Sequence, residues 1–410
     1  MNDAPSEPKR PRVNVRRPDV MERVAAQVAV HFHSSIVETL RSRGGKLTVD
    51  HTTVLLAEQF GFCYGVERAI DLAYASRRVF PTQRIFLIGE IIHNPEVNRQ
   101  LRDMDIVSLP WREMDDSYDA LTDEDVLIVP AFGAPTSFMS KVEQRGCYVI
   151  DTTCGDVMKV WRRVRGYAND SITSIIHGKS DHEETRATAS RALGERGDGH
   201  YLVVLTLEDV DLLCHYMLHG GDQSAFLARF AGCHSPGFDP NIHLQSLGLA
   251  NQTTMLKNET QEIQHRIQRA LITRDGHSRA FHSFDTICGA TQDRQDALIE
   301  MLRKPMDMLL VVGGYNSSNT SHLVEIAQPL VPTFFIRDAS CIKSLEEIVH
   351  FDLHHRREIT TYASRLASPD LLTVGITAGA SCPNNLIEEA LFKVFDLRGV
   401  SRENLAAAMA

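Results

Sequence analysis

FGFCYGVERAIDLAYAS (residues 60–76), DTTCGDVMKVWRRVRGYA (151–168) and DTICGATQDRQDALIEML (285–302) are three versions of one pattern. In each, a short and partly apolar stretch reaches a cysteine, passes a glycine and opens an amphipathic helix. Val66, Ile70 and Ala73 keep helical spacing in the first, and Val157, Val160, Trp161 and Val164 keep it in the second. Each cysteine therefore sits just before a helix N-terminus. Cys63, Cys154 and Cys288 are separated by 91 and 134 residues, so the middle unit carries an insertion, which we place around Leu213 to Gly248. Three related α/β units, each turning one cysteine towards a common centre, account for these spacings.

Working outward, the apolar runs RIFLIGEII, DVLIVPAF, CYVID, YLVVLTL, MLLVVGG and LLTVGITAG alternate with amphipathic stretches. That alternation predicts an α/β protein with mainly parallel sheets, in three related lobes. Most runs end in Gly, Asp, Ser or Thr, which puts loops and helix starts at the carboxyl edge of a sheet, where ligands gather in such folds. The expected division is an N-terminal extension (1–50), a first lobe (51–154), a second lobe with the insertion (155–287), a third lobe (288–398) and a C-terminal tail (399–410). The chain opens with MNDAPSEPKRPRVNVRRPDV, a polar lead-in expected to be flexible. Transit peptides are poor in acid, and Asp3, Glu7, Asp19 and Glu22 interrupt its basic run. VMERVAAQVAVHFHSSIVETLRSRGGK then reads as helix until Gly44 and Gly45 stop it.

With 43 basic against 53 acidic residues, the net charge of −10 argues against a general nucleic-acid binder. No apolar run has the length of a membrane span, and no signal-peptide core opens the chain, so a cytoplasmic protein is expected. Eight cysteines without a CxxC pair leave open which of them carry chemistry.

A helix N-terminus with free N–H groups stabilises a thiolate, the form in which cysteine binds metal. Three such thiolates could hold three irons of a cluster and leave a fourth open to substrate. Any one free cysteine is more often a small buried hydrophobe. The repeated context singles out Cys63, Cys154 and Cys288, and leaves Cys147, Cys214, Cys233, Cys341 and Cys382 as core or surface thiols.

Other strand ends carry polar groups suited to a small diphosphate. IIHGKSDHEET brings His177 and His182 with Glu184 just beyond, EIIHNPEVN brings His93, and VVGGYNSSNTSHL brings Ser317, Ser318 and Asn319. ITAGASCPNN adds Ser381, and ANQTTML adds Thr253 and Thr254. Imidazoles, hydroxyls and backbone N–H groups can hold phosphate while a carboxyl group delivers a proton. Each loop alone could equally be a capping or solvated segment. Neither GxxxxGK[ST] nor GxGxxG occurs, so a nucleotide is not the obvious ligand.

Together these motifs, in order from about Val54 to Leu397, resemble the LytB-type 4-hydroxy-3-methylbut-2-enyl diphosphate reductases of the non-mevalonate isoprenoid pathway, nearest the plant and cyanobacterial branch. The resemblance implies three α/β lobes around one [4Fe–4S] cluster held by Cys63, Cys154 and Cys288. It implies that His93, His182, Ser317, Ser318, Asn319 and Ser381 surround the diphosphate, that Thr253 lies near the substrate's hydroxyl end, and that Glu184 is the proton source. Two electrons and two protons would yield isopentenyl and dimethylallyl diphosphates plus water. With no flavin signature or second cluster motif evident, the electrons would come from a separate carrier such as ferredoxin or flavodoxin. Two departures stand out. Phe132 occupies the place of a common histidine, as in the plant-like branch, and Gly155 replaces a proline that often follows the second cysteine.

Two competing readings remain at this level: a hydro-lyase using an open iron as Lewis acid, and a closed, non-catalytic iron–sulfur or zinc sensor. Adjacent side chains point in different directions, so Glu183 and Glu184 are expected not to be interchangeable, with substitution of Glu183 far milder for turnover. Serine at any one of Cys63, Cys154 or Cys288 is expected to collapse an iron centre that Cys147→Ser and Cys214→Ser leave intact. Iron and sulfide analysis of the five anaerobically prepared variants checks this, and an intact centre after losing one of the three overturns the assignment.

Overall fold

The structure is a computed structural model, and it describes residues 14–112, 114–284, 286–368 and 370–409. Fifteen strands are present among them. In chain order they are β1 Lys46–Val49, β2 Thr52–Leu56, β3 Ile85–Ile88, β4 Ile106–Leu109, β5 Val126–Val129, β6 Tyr148–Asp151, β7 Thr173–His177 and β8 Tyr201–Val204. There follow β9 Leu247–Asn251, β10 Phe281–Ser283, β11 Met308–Val312, β12 Thr333–Ile336, β13 Glu347–Asp352, β14 Arg357–Tyr362 and β15 Leu372–Ala378. The six apolar runs read as strands all appear in this set.

The strands form three main sheets with one topology. The first has the order β4-β3-β5-β6 and the second β10-β9-β7-β8, all pairs being parallel. Counted within each lobe, both place the second strand at one edge, then the first, the third and the fourth. The third sheet repeats this as β12-β11-β15-β2, extended by β1 antiparallel to β2. Its fourth strand is thus supplied by the beginning of the chain. An antiparallel pair, β13 and β14, is inserted between β12 and β15.

This differs from the division expected above. Residues 52–56 do not begin the first lobe: Thr52–Leu56 pairs in register with Leu372–Ile376, and Val54, Leu55 and Leu56 lie in the same buried cluster as Leu310, Ile376 and Leu391. The all-apolar VLL of β2 suits a strand buried on both faces, which an outer edge of the first sheet would not provide. The connection from β8 to β9 holds helices Leu207–His219, Gln223–Arg229 and Pro240–His243, at the place of the expected insertion.

Nor is the N-terminal extension a loose lead-in throughout. Residues 1–13 lie outside the described residues, but Val15, Val20, Val24 and Phe32 are buried against Ala69, Ile70, Ala73 and Tyr74 of helix Tyr64–Val79. The single expected helix is two, Pro18–Phe32 and Ser35–Ser42, because the Ser34 side chain accepts from the Val37 amide and caps the second. Gly44 and Gly45 end it with left-handed φ of 84° and 70°. The C-terminal tail also folds, as helix Arg402–Met409 with Leu405 buried on the third sheet's core. No helix among the described residues is long and apolar enough to cross a membrane.

If helix Pro18–Phe32 is an integral part of the core, Val24→Asp leaves an uncompensated buried charge and costs about 3–5 kcal/mol. Val30→Asp, on the exposed face of the same helix, stays within about 0.5 kcal/mol. Urea unfolding of both variants checks the difference, and equal midpoints would mean that the helix does not pack as described.

Candidate active site

Each lobe's fourth strand delivers one cysteine. β2 leads to Cys63, β6 to Cys154 and β10 to Cys288, and each cysteine is the N-cap residue of the helix that follows. Those helices are Tyr64–Val79, Gly155–Asn169 and Gly289–Leu302. Each packs into the core of the next lobe: Ile70 and Ala73 with β3, Val160 and Val164 with β7, Leu298 and Met301 with β11. The cysteines therefore stand where the chain passes between lobes. Each cysteine amide is also held by the carbonyl two residues beyond a third strand. Cys154 N–H donates to Ala131 O (2.9 Å), Cys288 N–H to Thr253 O (3.1 Å) and Cys63 N–H to Ala380 O (3.3 Å).

Two arginines tie one cysteine loop to another. Arg68, in the Cys63 helix, donates to Thr152 O and Thr153 O ahead of Cys154 (3.2 and 3.1 Å). Arg294, buried in the Cys288 helix, donates to Gly61 O ahead of Cys63 (2.6 Å) and to Ala290 O (2.7 Å). A Cβ at Gly65 would lie 2.6 Å from Cys154 Sγ and 3.9 Å from Cys63 Sγ, so glycine is what lets these sulfurs approach one another. Burial raises the Cys154 thiol and pushes Cys288 up to about 11, partly offset at Cys288 by Thr291. As free thiols both would stay protonated at neutral pH. A bound metal centre reverses that balance by deprotonating its ligands, and three partly exposed helix-capping cysteines from three lobes fit a three-thiolate iron–sulfur centre. Cys147, Cys341 and Cys382 are buried, and Cys214 and Cys233 pack against the second lobe's core.

The first strand of each lobe supplies the neighbouring pocket. His93, His182 and Ser317 are each the fifth residue beyond β3, β7 and β11, at the entrance to a helix. The structure brings them together with Ser318, Asn319, Thr253 and Ser381, all buried. Ser381 Oγ donates to His93 O (3.2 Å) and lies 3.4 Å from Ser317 Oγ. A Cβ at Gly314 would come within 2.3 Å of His93 O, which requires glycine where the first and third lobes touch. Asn319 Oδ1 accepts from Ala380 N–H (2.8 Å), while its Nδ2 is a buried donor with no partner among the described residues. A buried unpaired donor is costly unless a ligand satisfies it. His177 takes another path, inward to Thr260 Oγ1 (2.8 Å), and is not part of the pocket wall.

Two adjacent glutamates serve different partners. Glu183 Oε2 approaches His93 Nε2 (3.4 Å) and Glu90 Oε2 approaches His93 Nδ1 (3.1 Å). Burial would lower the His93 pKa, but the two carboxylates outweigh it and hold the imidazolium up to about 9. His182 Nδ1 accepts the Glu184 amide (3.1 Å), and burial with the neighbouring His93 charge lowers His182 to about 3. Its proton is then on Nε2, 3.3 Å from His93 Nε2, so two donors converge on one space, as an anion requires. Glu184 instead lies under the cysteine loop. Thr253 N–H donates to Oε1 (2.6 Å) and Thr253 Oγ1 pairs with Oε2 (3.0 Å). Burial pushes the Glu184 carboxyl up to about 7, against the lowering effect of those two bonds. It is a buried acid poised to lose a proton near neutrality.

Residues 54–394 match the family described as LytB protein. A 4-hydroxy-3-methylbut-2-enyl diphosphate reductase of Thermosynechococcus vestitus is 46% identical over 384 residues, 93% of this chain and 93% of that protein. One from Gloeobacter violaceus is 43% identical, over 94% of this chain and 93% of that protein. The chain belongs to the LytB family. Among solved structures, the E-1-hydroxy-2-methyl-but-2-enyl-4-diphosphate reductase from Plasmodium falciparum shares the fold at 22% identity, with a TM-score of 0.60 over 83% of this chain and 86% of that one. A second solved (E)-4-hydroxy-3-methyl-but-2-enyl diphosphate reductase gives 0.51 at 24% identity over 85% of this chain and all of that one.

Within the LytB pattern, the two departures now have a physical setting. Phe132 cannot donate a hydrogen bond, but its ring stacks on His93 with centroids 4.3 Å apart, and an aromatic face stabilises an adjacent cation. Gly155 still begins a 15-residue helix behind the Cys154 cap. Sequence reading missed Arg68 and Arg294, whose partners are backbone carbonyls of other loops, and Glu90, three residues before His93 in the same loop. It also missed Gln252, which bridges Ser318 Oγ (3.1 Å), Thr185 Oγ1 (3.2 Å) and the Lys179 amide (3.2 Å). Glu183, whose substitution is expected to be far milder for turnover than that of Glu184, faces His93. Glu183→Gln is therefore expected to lower the His93 pKa, since burial then acts with less opposition. In wild type the imidazolium should persist above pH 8, and NMR titration of the ring checks both. An unchanged His93 titration in the variant would remove Glu183 from this role.

Proposed function

We propose that this chain reduces 4-hydroxy-3-methylbut-2-enyl diphosphate to isopentenyl and dimethylallyl diphosphates. The C–O bond of the allylic alcohol breaks, two electrons and two protons are taken up, and one water leaves. One observation carries the reading. A buried carboxyl group with a pKa near 7, Glu184, lies between a ring of three helix-capping cysteines and a pocket of converging phosphate-type donors. When bound through Cys63, Cys154 and Cys288, a [4Fe–4S] cluster supplies electrons and an open iron.

The chain's own groups do the rest. His93 as imidazolium, His182 Nε2–H, the Ser317 and Ser381 hydroxyls and the Asn319 amide hold the diphosphate, whose charge displaces Glu183 from His93. The Ser318 hydroxyl, tied to Gln252, stands beside them. Glu184, protonated, passes its proton through or beside the Thr253 hydroxyl to the departing oxygen. The burial of these groups excludes water from the reacting end. Electrons come from an external carrier such as ferredoxin or flavodoxin. A cytoplasmic setting suits the reading, because reduced thiols are kept there.

The hydro-lyase reading consumes no reducing equivalents, so turnover under chemically reduced methyl viologen with product analysis tests the assignment. Elimination of water without oxidation of the viologen would refute it. Glu184→Gln is expected to keep the iron centre and bind substrate, while slowing turnover by roughly 10²–10⁴-fold. Because the acid form is required, wild-type kcat is expected to fall as pH rises through about 7, where Glu184 loses its proton. The variant, with no proton to lose, should not follow that fall. Near-normal turnover in Glu184→Gln would remove it as the proton source.

A further inference from the structure

The substrate pocket is buried on the side of Glu184, so electrons need a second way in. Electron transfer weakens steeply with distance, and a carrier must therefore sit where the cysteine ring comes nearest to solvent. Gly155 and Gly289, the residues immediately after Cys154 and Cys288, are both exposed, and a Cβ at either would have nothing within 4 Å. A cavity of about 670 Å³ opens at Gly289, bounded by the helix that begins at Gly155 and by Phe284, Thr286 and Ile287 ahead of Cys288.

Its walls are unlike the chain as a whole. The net charge is −10, yet this cavity is lined by Lys159, Arg162 and Arg163, all exposed, with Asp156 as the one acidic side chain among the described lining residues. Lys159 pairs with that Asp156 (2.6 Å). The charges of Arg162 and Arg163 have no carboxylate partner among the described ion pairs. Arg162 makes one long contact to its own helix, Nε to Met158 O at 3.4 Å, and Arg163 lies 3.7 Å over the ring of Phe284. Phe284 is 43% exposed and Met158, one turn before Arg162, is 37% exposed. Arginine and aromatic side chains lining a solvent-facing cavity, with an exposed methionine on the same helix, are the composition of a protein interface rather than of an ordinary surface.

We propose that this face, between the Gly155–Asn169 helix and the stretch before Cys288, docks a small acidic electron-transfer protein. The inference rests on the reductase reading above and adds to it the place of entry. Two reduced carriers dock in turn, each oxidised by one electron, for every diphosphate reduced. The carboxylates of the carrier meet Arg162 and Arg163, and Phe284 and Met158 give the apolar contact. Complementary charge of this kind speeds encounter and sets register, and it weakens with salt.

The test is direct binding, independent of turnover. An oxidised plant-type [2Fe–2S] ferredoxin is titrated calorimetrically into wild-type holoprotein at low and high salt, and into Arg162→Glu, the double variant Arg162→Glu/Arg163→Glu, and Lys304→Glu as a remote charge reversal. Lys304 lies past the far end of the Cys288 helix. The expected result is tenfold or greater weakening in the double variant, with a shallower salt dependence, a smaller loss in Arg162→Glu, and no change in Lys304→Glu. Iron content and methyl-viologen turnover should match wild type throughout. Should Arg163→Glu disturb the Phe284 loop, Arg162→Glu alone carries the test, since its side chain holds no other segment. Affinities within twofold of wild type, an equal loss in Lys304→Glu, or no ferredoxin binding to wild type would each overturn the proposal. So would preferential binding of a single-stranded RNA oligomer at this face. Failure of the reductase reading would show separately, as wild-type protein without iron or without reduction of the diphosphate by viologen.

Discussion

The molecule depends on three main-chain hydrogen bonds, from the amides of Cys63, Cys154 and Cys288 to the carbonyls two residues past β15, β5 and β9. Each bond fixes a cysteine at the point where the polypeptide leaves one sheet and enters the helix of the next lobe. Lobe packing and cysteine placement are therefore one constraint. If a lobe shifts, its sulfur shifts with it. Arg68 and Arg294 reinforce this by clasping the loop before one cysteine from the helix after another. A centre held this way would gain rigidity from the fold and return it, because a shared ligand set would join the three lobes at one point.

The neighbouring pocket uses burial in two opposite directions. Glu183 and Glu184 are consecutive, yet the helix start turns one towards an imidazole and the other towards Thr253. Beside His93 the carboxylate is held ionised and the ring cationic. Beside Thr253, with no ion-pair partner among the described residues, burial outweighs the more distant His93 charge and the acid keeps its proton near neutrality. An ionised and a proton-keeping carboxyl group thus arise at adjacent residues through environment alone.

Much of this was legible in the sequence, for identifiable reasons. The cysteine-glycine-helix pattern recurs because each helix N-terminus faces the same centre, and the strand runs were visible because parallel strands covered on both faces are almost wholly apolar. His93, His182, Ser317 and Ser381 could be named because they close strand runs. What escaped was non-local. Nothing near residues 52–56 announces that their partner is 320 residues away, and the break at Ser34 is a single cap inside an otherwise continuous helical pattern. The contacts of Glu183 and Arg294 depend on loops brought together only by the packed lobes, so composition and spacing could not reveal them.

The placement of β2 has a consequence for how the protein comes into being. Its neighbour in the third sheet, β15, begins at Leu372, so the strand that leads to Cys63 waits for nearly the whole chain to be synthesised before it acquires that partner. The first two sheets consist of strands contiguous in sequence and can form as they leave the ribosome. The third is a closure between early and late segments, the kind of long-range contact that slows folding. On the proposed reading, the first ligand to be made would thus be the last set in place, and a cluster would be captured only after translation has reached the C-terminal strand.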